Sequence, residues 1–383
     1  MSVTYPQGFR AAGVTAGFKD SGRSDLALVV NDGPSHAAAC VFTSNRCKAN
    51  PVLWSEQVIA DGEVSAIILN SGGANCYTGA EGFALTHATA EAVADGLDIS
   101  AGDVLVCSTG LIGPLFSRDK MMAAVPQAIA ALSDQGGSPA AEAIMTTDTV
   151  RKEAVVERDG WSIGAMAKGA GMLAPALATM LVVITTDADL TAEQLDAALR
   201  KATSKSFDRL DSDGCQSTND TVALLASGAS GISPTEAEFT DALTEICTEL
   251  AIALMGDAEG ASHDLYITAT NAASEQDAVE VCRAVARSNL FKTAVYGNDP
   301  NWGRVLAAAG TTNATFEPLT LDVAINGIWV CRDGVLAADP ETIDMSPRGC
   351  DVTINLKAGD ASATVWSNDL THDYVHENSA YST

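Results

Sequence analysis

The stretch that decides the fold is Met166–Asp187, which reads MAKGAGMLAPALATMLVVITTD. It opens with a glycine-rich turn at residues 168–171 and continues to Ala178 and Thr179. Met180–Thr186 follows as an apolar run rich in β-branched residues, a pattern that predicts a buried strand. A threonine at the start of such a strand, preceded by a residue as small as alanine, is what a self-cleaving precursor needs.

Self-cleavage would turn Thr179 into a catalytic group. Its hydroxyl would attack the preceding carbonyl, the ester would hydrolyse, and the α-amine of the new N-terminus could then act as base for the hydroxyl. That amine has a reference pKa of about 8, against roughly 10.4 for a lysine, so a useful fraction is neutral near pH 7. From this segment alone, a buried strand with an incidental threonine is the simpler interpretation.

A dinucleotide-binding loop is a competing interpretation of the same glycines. Residues 169–174, GAGMLA, fit the loose pattern G-x-G-x-x-A, with Asp187 and Asp189 at a tolerable distance. That pattern must open a helix. Pro175 follows at once and the next long element is a predicted strand, so we exclude this interpretation.

Composition bounds the class of protein. The chain has 383 residues, of which 47% are hydrophobic, enough for a large core and for two or three domains by length. Its net charge is −27 and no basic patch occurs, which argues against nucleic acid and anionic membrane as partners.

Cysteine usage and the N-terminus predict the compartment. The 9 cysteines are scattered, without a CxxC or a Cys/His metal spacing, so we expect reduced thiols and no metal site. The N-terminus lacks an apolar signal core, and no apolar run approaches the roughly 20 residues of a membrane span. We therefore expect a cytoplasmic protein.

Hydrophobic patterning predicts a mixture of strands and helices. The predicted strands before the deciding segment are Asp25–Val30, Ala37–Thr43, Val64–Leu69 and Val104–Cys107, followed by a hairpin of Val150–Glu157 and Trp161–Met166. The predicted helices are Ala80–Ala94, Arg118–Leu132, Ala140–Ile144, Val222–Ala226 and Ala278–Arg287, with two more that start at capping boxes near Thr191 and Ser233. The chain from about residue 315 is strand-rich, with predicted strands Leu319–Ala324, Ile328–Cys331, Val352–Leu356 and Ser362–Trp366.

Several motifs together carry a resemblance to a known family. Residues 168–188, KGAGMLAPALATMLVVITTDA, resemble the autoprocessing segment of the ornithine acetyltransferases (glutamate N-acetyltransferases) of arginine biosynthesis. Further matching segments occur in the family's order: NSGGAN at 70–75, the STG turn at 108–113, MTTDT at 145–149, SFDR at 206–209, STNDT at 217–221, EGA at 259–261, DPNWGR at 299–304 and the tail 374–383. The resemblance covers essentially the whole chain.

The resemblance implies a fold and a reaction. The fold is an α/β (α+β) layered sandwich of the ornithine acetyltransferase and aminopeptidase superfamily, cut between Ala178 and Thr179 into an α chain of 1–178 and a β chain of 179–383, assembled as α2β2. The reaction is ping-pong transfer of an acetyl group from N2-acetyl-L-ornithine to L-glutamate through acetyl-Thr179. No cofactor is implied, and acetyl-CoA is a second candidate donor.

The resemblance also assigns site residues. It implies an oxyanion hole made by the Thr109 hydroxyl and the Gly110 N–H, which suits the need for a fixed donor close to the reacting carbon. The positions that match the family's substrate contacts are Thr146, Lys168, Thr179, Glu259, Asn378 and Thr383. In the family the lysine binds a substrate carboxylate and the glutamate binds an amino group.

Two positions depart from the family pattern and one motif has no clear role. Gly73 stands where the family usually has asparagine, and His263 stands where it has lysine, so the resemblance assigns no role to the His263 side chain. We interpret DPNWGR at 299–304 as an ordered loop that shapes the site.

Three alternatives remain open. An aminopeptidase or amidase of the same superfamily would use water as acceptor, against which Lys168, Glu259 and Asn378 argue because they would hold an amino acid. A Ser-His-Asp hydrolase is disfavoured, since the chain has no G-x-S-x-G and none of its 5 histidines lies in a nucleophile-like motif. A noncatalytic binding protein would keep its chain intact.

Overall fold

The computed structural model describes residues 2–174 and 180–380. Three positions singled out above, Ala178, Thr179 and Thr383, lie outside these described residues.

Strands and helices alternate through most of the described chain. The strands are β1 (Phe9–Val14), β2 (Leu26–Asn31), β3 (Ala38–Phe42), β4 (Ala66–Asn70), β5 (Val104–Ser108), β6 (Lys152–Arg158), β7 (Trp161–Lys168), β8 (Leu181–Thr186), β9 (Thr221–Ala226), β10 (Asp264–Ala272), β11 (Asp322–Ile325), β12 (Ile328–Arg332), β13 (Val335–Leu336), β14 (Gly349–Asn355) and β15 (Ala361–Asn368). The helices are α1 (Asn50–Val58), α2 (Gly79–Leu97), α3 (Arg118–Ala130), α4 (Gly137–Ala143), α5 (Ala192–Lys205), α6 (Glu236–Gly256), α7 (Glu275–Ala286), α8 (Asn289–Tyr296), α9 (Trp302–Ala309) and α10 (His372–Ala380).

The strands form three sheets. The first has four strands in the order β1-β2-β4-β5, and the second has five in the order β3-β9-β8-β7-β6. Both are mixed: β4 pairs with β5 in parallel, and β8 pairs with β9 in parallel, whereas their other neighbours run antiparallel. The third sheet has six strands in the order β13-β12-β11-β14-β10-β15.

The first sheet is apolar on both faces because successive side chains of a strand point to opposite sides. In β2, Leu26, Leu28 and Val30 pack in one cluster with α2 and α3. Ala27 and Val29 belong instead to a cluster shared with the second sheet.

The second sheet repeats this arrangement. In β8, Leu181 and Val183 face the first sheet, whereas Val182 and Ile184 pack against α5 and α6. The layers therefore follow the order helices, sheet, sheet, helices. This order confirms the predicted layered α/β sandwich, and the apolar run predicted to form a buried strand is β8.

The third sheet forms a separate layer at the C-terminal end of the chain. Its buried side chains pack in one cluster with α7, α8 and α9. The described chain contains β11 to β15 from residue 315 onward. It also contains β10 and α10, which no sequence pattern predicts. The helix α10 has no buried residue among those described. Because it buries no apolar face, its sequence lacks the hydrophobic periodicity from which a helix is predicted.

One predicted helix is a strand. Val222–Ala226 lies in β9, between β3 and β8, and all of its residues are buried. A short apolar run flanked by polar residues fits a helix start or a buried strand equally well, and here pairing with two neighbours decides it. The polar residues before it therefore end a loop and do not cap a helix.

The interpretation of DPNWGR as a loop is also wrong in part. Its second half opens α9, where the Asn301 side chain accepts a hydrogen bond from the Arg304 N–H. The Arg304 guanidinium donates to the Leu290 carbonyl at 2.6 Å, which ties α9 to α8. The motif stabilises the C-terminal layer and, among the described residues, does not line the cavity presented below.

Within residues 2–174 and 180–380, no helix combines the length and apolar character required to cross a membrane.

Candidate active site

The candidate site lies where ends of the two central sheets meet. Because β4 and β5 are parallel, their carboxyl ends lie side by side and lead into the loops that begin at Ser71 and Thr109. In the second sheet, Lys168 ends β7 and pairs with Leu181 at the start of β8. A cavity of about 440 Å³ opens here.

The cavity brings together most of the predicted site residues. The described residues that line it include Thr109, Gly110, Thr146, Lys168, Glu259 and Asn378. These positions come from five separate parts of the chain, so the fold itself assembles them. Their catalytic and binding roles stay predictions at this point.

The turn after β5 is rigid. The Thr109 N–H donates to the Asn70 carbonyl and the Gly73 N–H donates to the Thr109 carbonyl, each at 2.9 Å. Gly110 has φ of +128°, and a Cβ at this position would lie 2.9 Å from the Gly73 nitrogen, so the turn requires glycine. The buried Thr109 hydroxyl accepts a hydrogen bond from the Lys168 ammonium at 3.3 Å.

Lys168 is a cation enclosed by protein, with only 1% of its surface exposed. Burial lowers the pKa of its ammonium, and the positive charge of Lys152 acts in the same direction. The nearby carboxylates of Asp148, Asp220 and Glu259 oppose this shift. A buried ammonium that faces a cavity is well placed to bind a carboxylate.

The support for Lys168 comes from Asp148, a residue of the MTTDT segment to which the sequence analysis gave no role. One oxygen of Asp148 accepts the Gly169 N–H and the Lys152 ammonium, each at 2.7 Å. Its other oxygen accepts the Thr146 N–H at 2.9 Å. A single carboxylate thus fixes the turn after β7 and the loop that carries Thr146.

The charge of Asp148 is strongly favoured despite its burial. Burial raises the pKa of this carboxyl, but the positive charges of Lys168 and Lys152 and the hydrogen bonds outweigh it and lower the pKa to about 2. Lys152 is itself buried and also contacts Asp257 at 2.6 Å, just after α6. The sequence offers one signal for this cluster, because Asp148 and Lys152 lie four positions apart on either side of the start of the predicted strand Val150–Glu157.

Glu259 also lines the cavity and is 9% exposed. Its backbone N–H donates to the Ala170 carbonyl at 2.9 Å. Its carboxylate lies against Gly171, where an added Cβ would come within 2.7 Å of an oxygen. The absence of a side chain at Gly171 therefore lets this carboxylate approach the turn.

Asp220, in the STNDT segment, is a second residue whose role the sequence analysis did not resolve. It is fully buried and accepts the Met180 N–H at 3.0 Å. Burial raises the pKa of this carboxyl well above its usual range, and the charge of Lys168 opposes that shift. The hydrogen bond fixes the backbone at the entry to β8, directly after Thr179.

His263 has a structural environment. Its ring contacts the Asp369 carboxylate through Nδ1 at 2.8 Å and the Met345 carbonyl through Nε2 at 3.1 Å, and the side chain is buried. It is not among the described residues that line the cavity. The histidine at the family's lysine position thus joins β10 to the segment that follows β15.

Comparison with known proteins identifies the family. The sequence profile described as the ArgJ family matches residues 10–383. The arginine biosynthesis bifunctional protein ArgJ of Streptomyces coelicolor is 62% identical over 382 residues, and the alignment covers 100% of each chain. The chain belongs to the ArgJ family.

Another curated relative and one solved structure are also similar to this chain. The ArgJ protein of Thermobifida fusca is 60% identical over 383 residues, again with 100% of both chains covered. A solved ornithine acetyltransferase from Mycobacterium tuberculosis, in complex with ornithine, is 54% identical over 47% of this chain and 96% of its own, with a TM-score of 0.45. The resemblance inferred from the motifs is thus confirmed by full-length relatives.

The charge cluster around Asp148 gives a stability prediction. Asp148→Asn should lower the free energy of unfolding by about 3 kcal/mol or more, because it leaves the buried Lys152 and Lys168 ammonium groups without their shared carboxylate. The measurement is urea denaturation, with all chains carrying Thr179→Ala so that backbone cleavage does not differ between samples.

The matched control is Asp196→Asn, which breaks an exposed ion pair with Arg200 at 2.8 Å on α5. We expect it to change stability by about 0.5 kcal/mol or less. Because the pKa of Asp148 is lowered to about 2, its contribution is present above the unfolded-state value of about 4 and is lost as pH falls toward 2. Equal effects of the two substitutions would contradict the proposed role of Asp148.

Proposed function

We propose that this ArgJ-family chain is an acyltransferase that moves the acetyl group of N2-acetyl-L-ornithine to L-glutamate by a ping-pong mechanism through acetyl-Thr179. The observation that carries the proposal is the cavity itself. It combines a buried cation, a carboxylate and the Thr109–Gly110 turn, and its lining residue Lys168 pairs with Leu181, two positions after Thr179.

The first step is the release of the nucleophile. Attack of the Thr179 hydroxyl on the Ala178 carbonyl, followed by hydrolysis of the ester, yields an α chain of 1–178 and a β chain of 179–383. The Asp220 contact supports this step, because a fixed Met180 amide restricts the backbone on the carboxyl side of Thr179.

The transfer then takes place in two balanced halves. The Thr179 hydroxyl oxygen attacks the acetyl carbon while its proton passes to the α-amine of Thr179. The carbon–nitrogen bond of the donor breaks, that proton goes to the departing amine, and ornithine leaves. In the second half the neutral α-amine of glutamate attacks the ester, and Thr179 recovers its proton as N-acetylglutamate forms.

Both halves pass through a tetrahedral intermediate with a negatively charged oxygen. The Thr109 hydroxyl and the Gly110 N–H are the proposed donors to this oxygen. The turn that holds them is fixed by two backbone hydrogen bonds, so little reorganisation is needed when the charge develops. The Lys168 ammonium beside the Thr109 hydroxyl adds a favourable potential.

Donor and acceptor share an α-carboxylate and an α-nitrogen, so one cavity can bind both if it recognises those groups. Lys168 is the proposed partner of the carboxylate and Glu259 the proposed partner of the amino group, each through a charge-assisted hydrogen bond. Thr146, Asn378 and Thr383 are the further proposed substrate contacts. Holding an amino acid in this way favours transfer to glutamate over transfer to water.

The proposal also covers the assembly, the compartment and a second acetyl donor of the enzyme. We propose an α2β2 assembly in the cytoplasm that needs no cofactor. The two relatives are named bifunctional proteins of arginine biosynthesis, and acetyl-CoA is the proposed second acetyl donor for glutamate.

Backbone cleavage gives the first test of this proposal. The wild-type chain should separate on a denaturing gel into two fragments of similar size, and sequencing of the second fragment should begin at Thr179. Thr179→Ala should leave a single chain, because the attacking hydroxyl is gone. A wild-type chain that is fully active and intact would refute the mechanism.

The oxyanion hole gives a second test. Thr109→Ala should lower kcat on the order of 10²–10³-fold, the usual cost of losing one such donor. Thr109→Ser keeps the hydroxyl and serves as the control. Cleavage and folding of both variants are checked first, since the same donor could assist self-cleavage, and unchanged turnover of cleaved Thr109→Ala would exclude the assigned role.

The fate of the acetyl group tests the choice of acceptor. Mixing cleaved enzyme with N2-acetyl-L-ornithine alone should add one acetyl group to the β chain at Thr179, as read by mass spectrometry. The group should persist until L-glutamate is added, because water is a poor competitor for the site. Loss of the acetyl group at the same rate without glutamate would replace the transferase with the amidase alternative.

A further inference from the structure

A second lysine lines the cavity and has no assigned role. Lys19 lies in the loop between β1 and β2, and its side chain reaches the same cavity as Lys168. Its ammonium donates to the Ser24 carbonyl at 2.9 Å and to the Met145 carbonyl at 2.7 Å. Met145 directly precedes Thr146, so these contacts hold Lys19 at the substrate side of the loop.

The loop that carries Lys19 is built around Asp25. This buried carboxylate accepts the N–H groups of Ala16 and Phe18 at 2.6 Å each and that of Lys19 at 3.0 Å. Its oxygens are therefore occupied by backbone donors. Among the described residues no carboxylate forms an ion pair with the Lys19 ammonium, whose hydrogen-bond partners are the carbonyls of Ser24 and Met145.

This arrangement leaves capacity for a ligand. An ammonium has three N–H donors, and the two carbonyls take two of them. Partial burial lowers the pKa of Lys19 to about 8, with the charge of Asp25 opposing the shift and the charges of Arg23 and Lys168 adding to it. An anion bound in the cavity would stabilise the charged form of Lys19 and would gain from it in turn.

The two substrates differ at one end. Lys168 and Glu259 are assigned to the groups that donor and acceptor share, so the side-chain end must meet the rest of the lining. That end is a carboxylate in glutamate and an ammonium in N2-acetylornithine. The described lining contains two cationic side chains, Lys19 and Lys168, and only Lys19 is left for a second carboxylate.

We propose that Lys19 binds the side-chain carboxylate of the acceptor glutamate and so determines which amino acid removes the acetyl group from the enzyme. The proposal rests on the acetyl-enzyme mechanism proposed above. It concerns the second half-reaction, because the ammonium end of the donor gains nothing from a neighbouring cation.

The test compares two acceptors that differ only in side-chain charge. Acetylated enzyme is prepared with N2-acetylornithine, freed of small molecules, and mixed with L-glutamate or L-glutamine. Loss of the acetyl group is followed by mass spectrometry at subsaturating acceptor. The wild type should react roughly tenfold or more faster with glutamate, since the glutamine amide offers no opposite charge to the ammonium.

Lys19→Met keeps the length of the side chain and removes the charge, so the ratio of the two rates should fall close to one. Lys19→Arg should keep the preference for glutamate. Lys201→Met, on the exposed face of α5, is the matched control and should retain the wild-type ratio. Lys19→Gln replaces Lys19→Met if that variant does not fold and cleave.

The possible outcomes distinguish a failure of the Lys19 proposal from a failure of the acetyl-enzyme mechanism. If Lys19 only supports the loop before Thr146, its loss slows both acceptors equally and leaves their ratio unchanged, which overturns the proposal. A wild type without preference for glutamate overturns it as well. If the wild type never retains an acetyl group, the mechanism itself is wrong and the role of Lys19 fails with it.

Discussion

The site depends on one buried carboxylate. Asp148 accepts hydrogen bonds from the backbone of Thr146 and Gly169 and from the Lys152 ammonium, so it joins the loop before β6, the start of β6 and the turn after β7. Its negative charge also offsets the unfavourable burial of Lys168. Without such a partner, burial would lower the pKa of this enclosed lysine further and so weaken the cation that a carboxylate substrate requires.

The layered fold explains why these groups meet at all. Two mixed sheets pack face to face, and each covers its outer face with helices, so their strand ends are the places where loops from both sheets come together. The first sheet supplies the Thr109–Gly110 turn and the second supplies Lys168 and the entry to β8. Neither sheet alone holds both a rigid donor turn and a buried cation.

Many of these elements could be predicted from the sequence, for physical reasons that differ from one element to the next. The run 180–186 is apolar and rich in β-branched residues, which favours a buried strand, and the capping box at Thr191 marks the start of α5. The capping box predicted at Ser233 is wrong by two residues, because the Thr235 side chain caps α6 and pairs with Glu238. The hydroxyl and amide residues before Val222–Ala226 resemble helix caps and predict a helix there. The pairing of this segment with β3 and β8 is a long-range property that no local pattern contains.

Site residues that belong to a recognisable motif could be predicted from the sequence. Residues whose role depends on a tertiary contact could not. Lys168 and Glu259 follow from the family segments. Asp220 and Lys19 acquire their roles from burial and from contacts with residues distant in sequence. Asp148 has near partners in Thr146 and Lys152, but its contact with Gly169 lies 21 positions away. His263 is a further example. The motif shows only that it replaces the family's lysine, whereas its contact with Asp369, 106 positions away, shows its structural role.

The central claim is that the donor amine leaves before the acceptor arrives, and isotope exchange tests it most directly. Cleaved enzyme is incubated with N2-acetylornithine and isotopically labelled ornithine, without glutamate. A ping-pong enzyme reverses its first half-reaction, so label should enter N2-acetylornithine, and Thr179→Ala should show none. Absence of exchange in a wild type that makes N-acetylglutamate when glutamate is present would contradict the account.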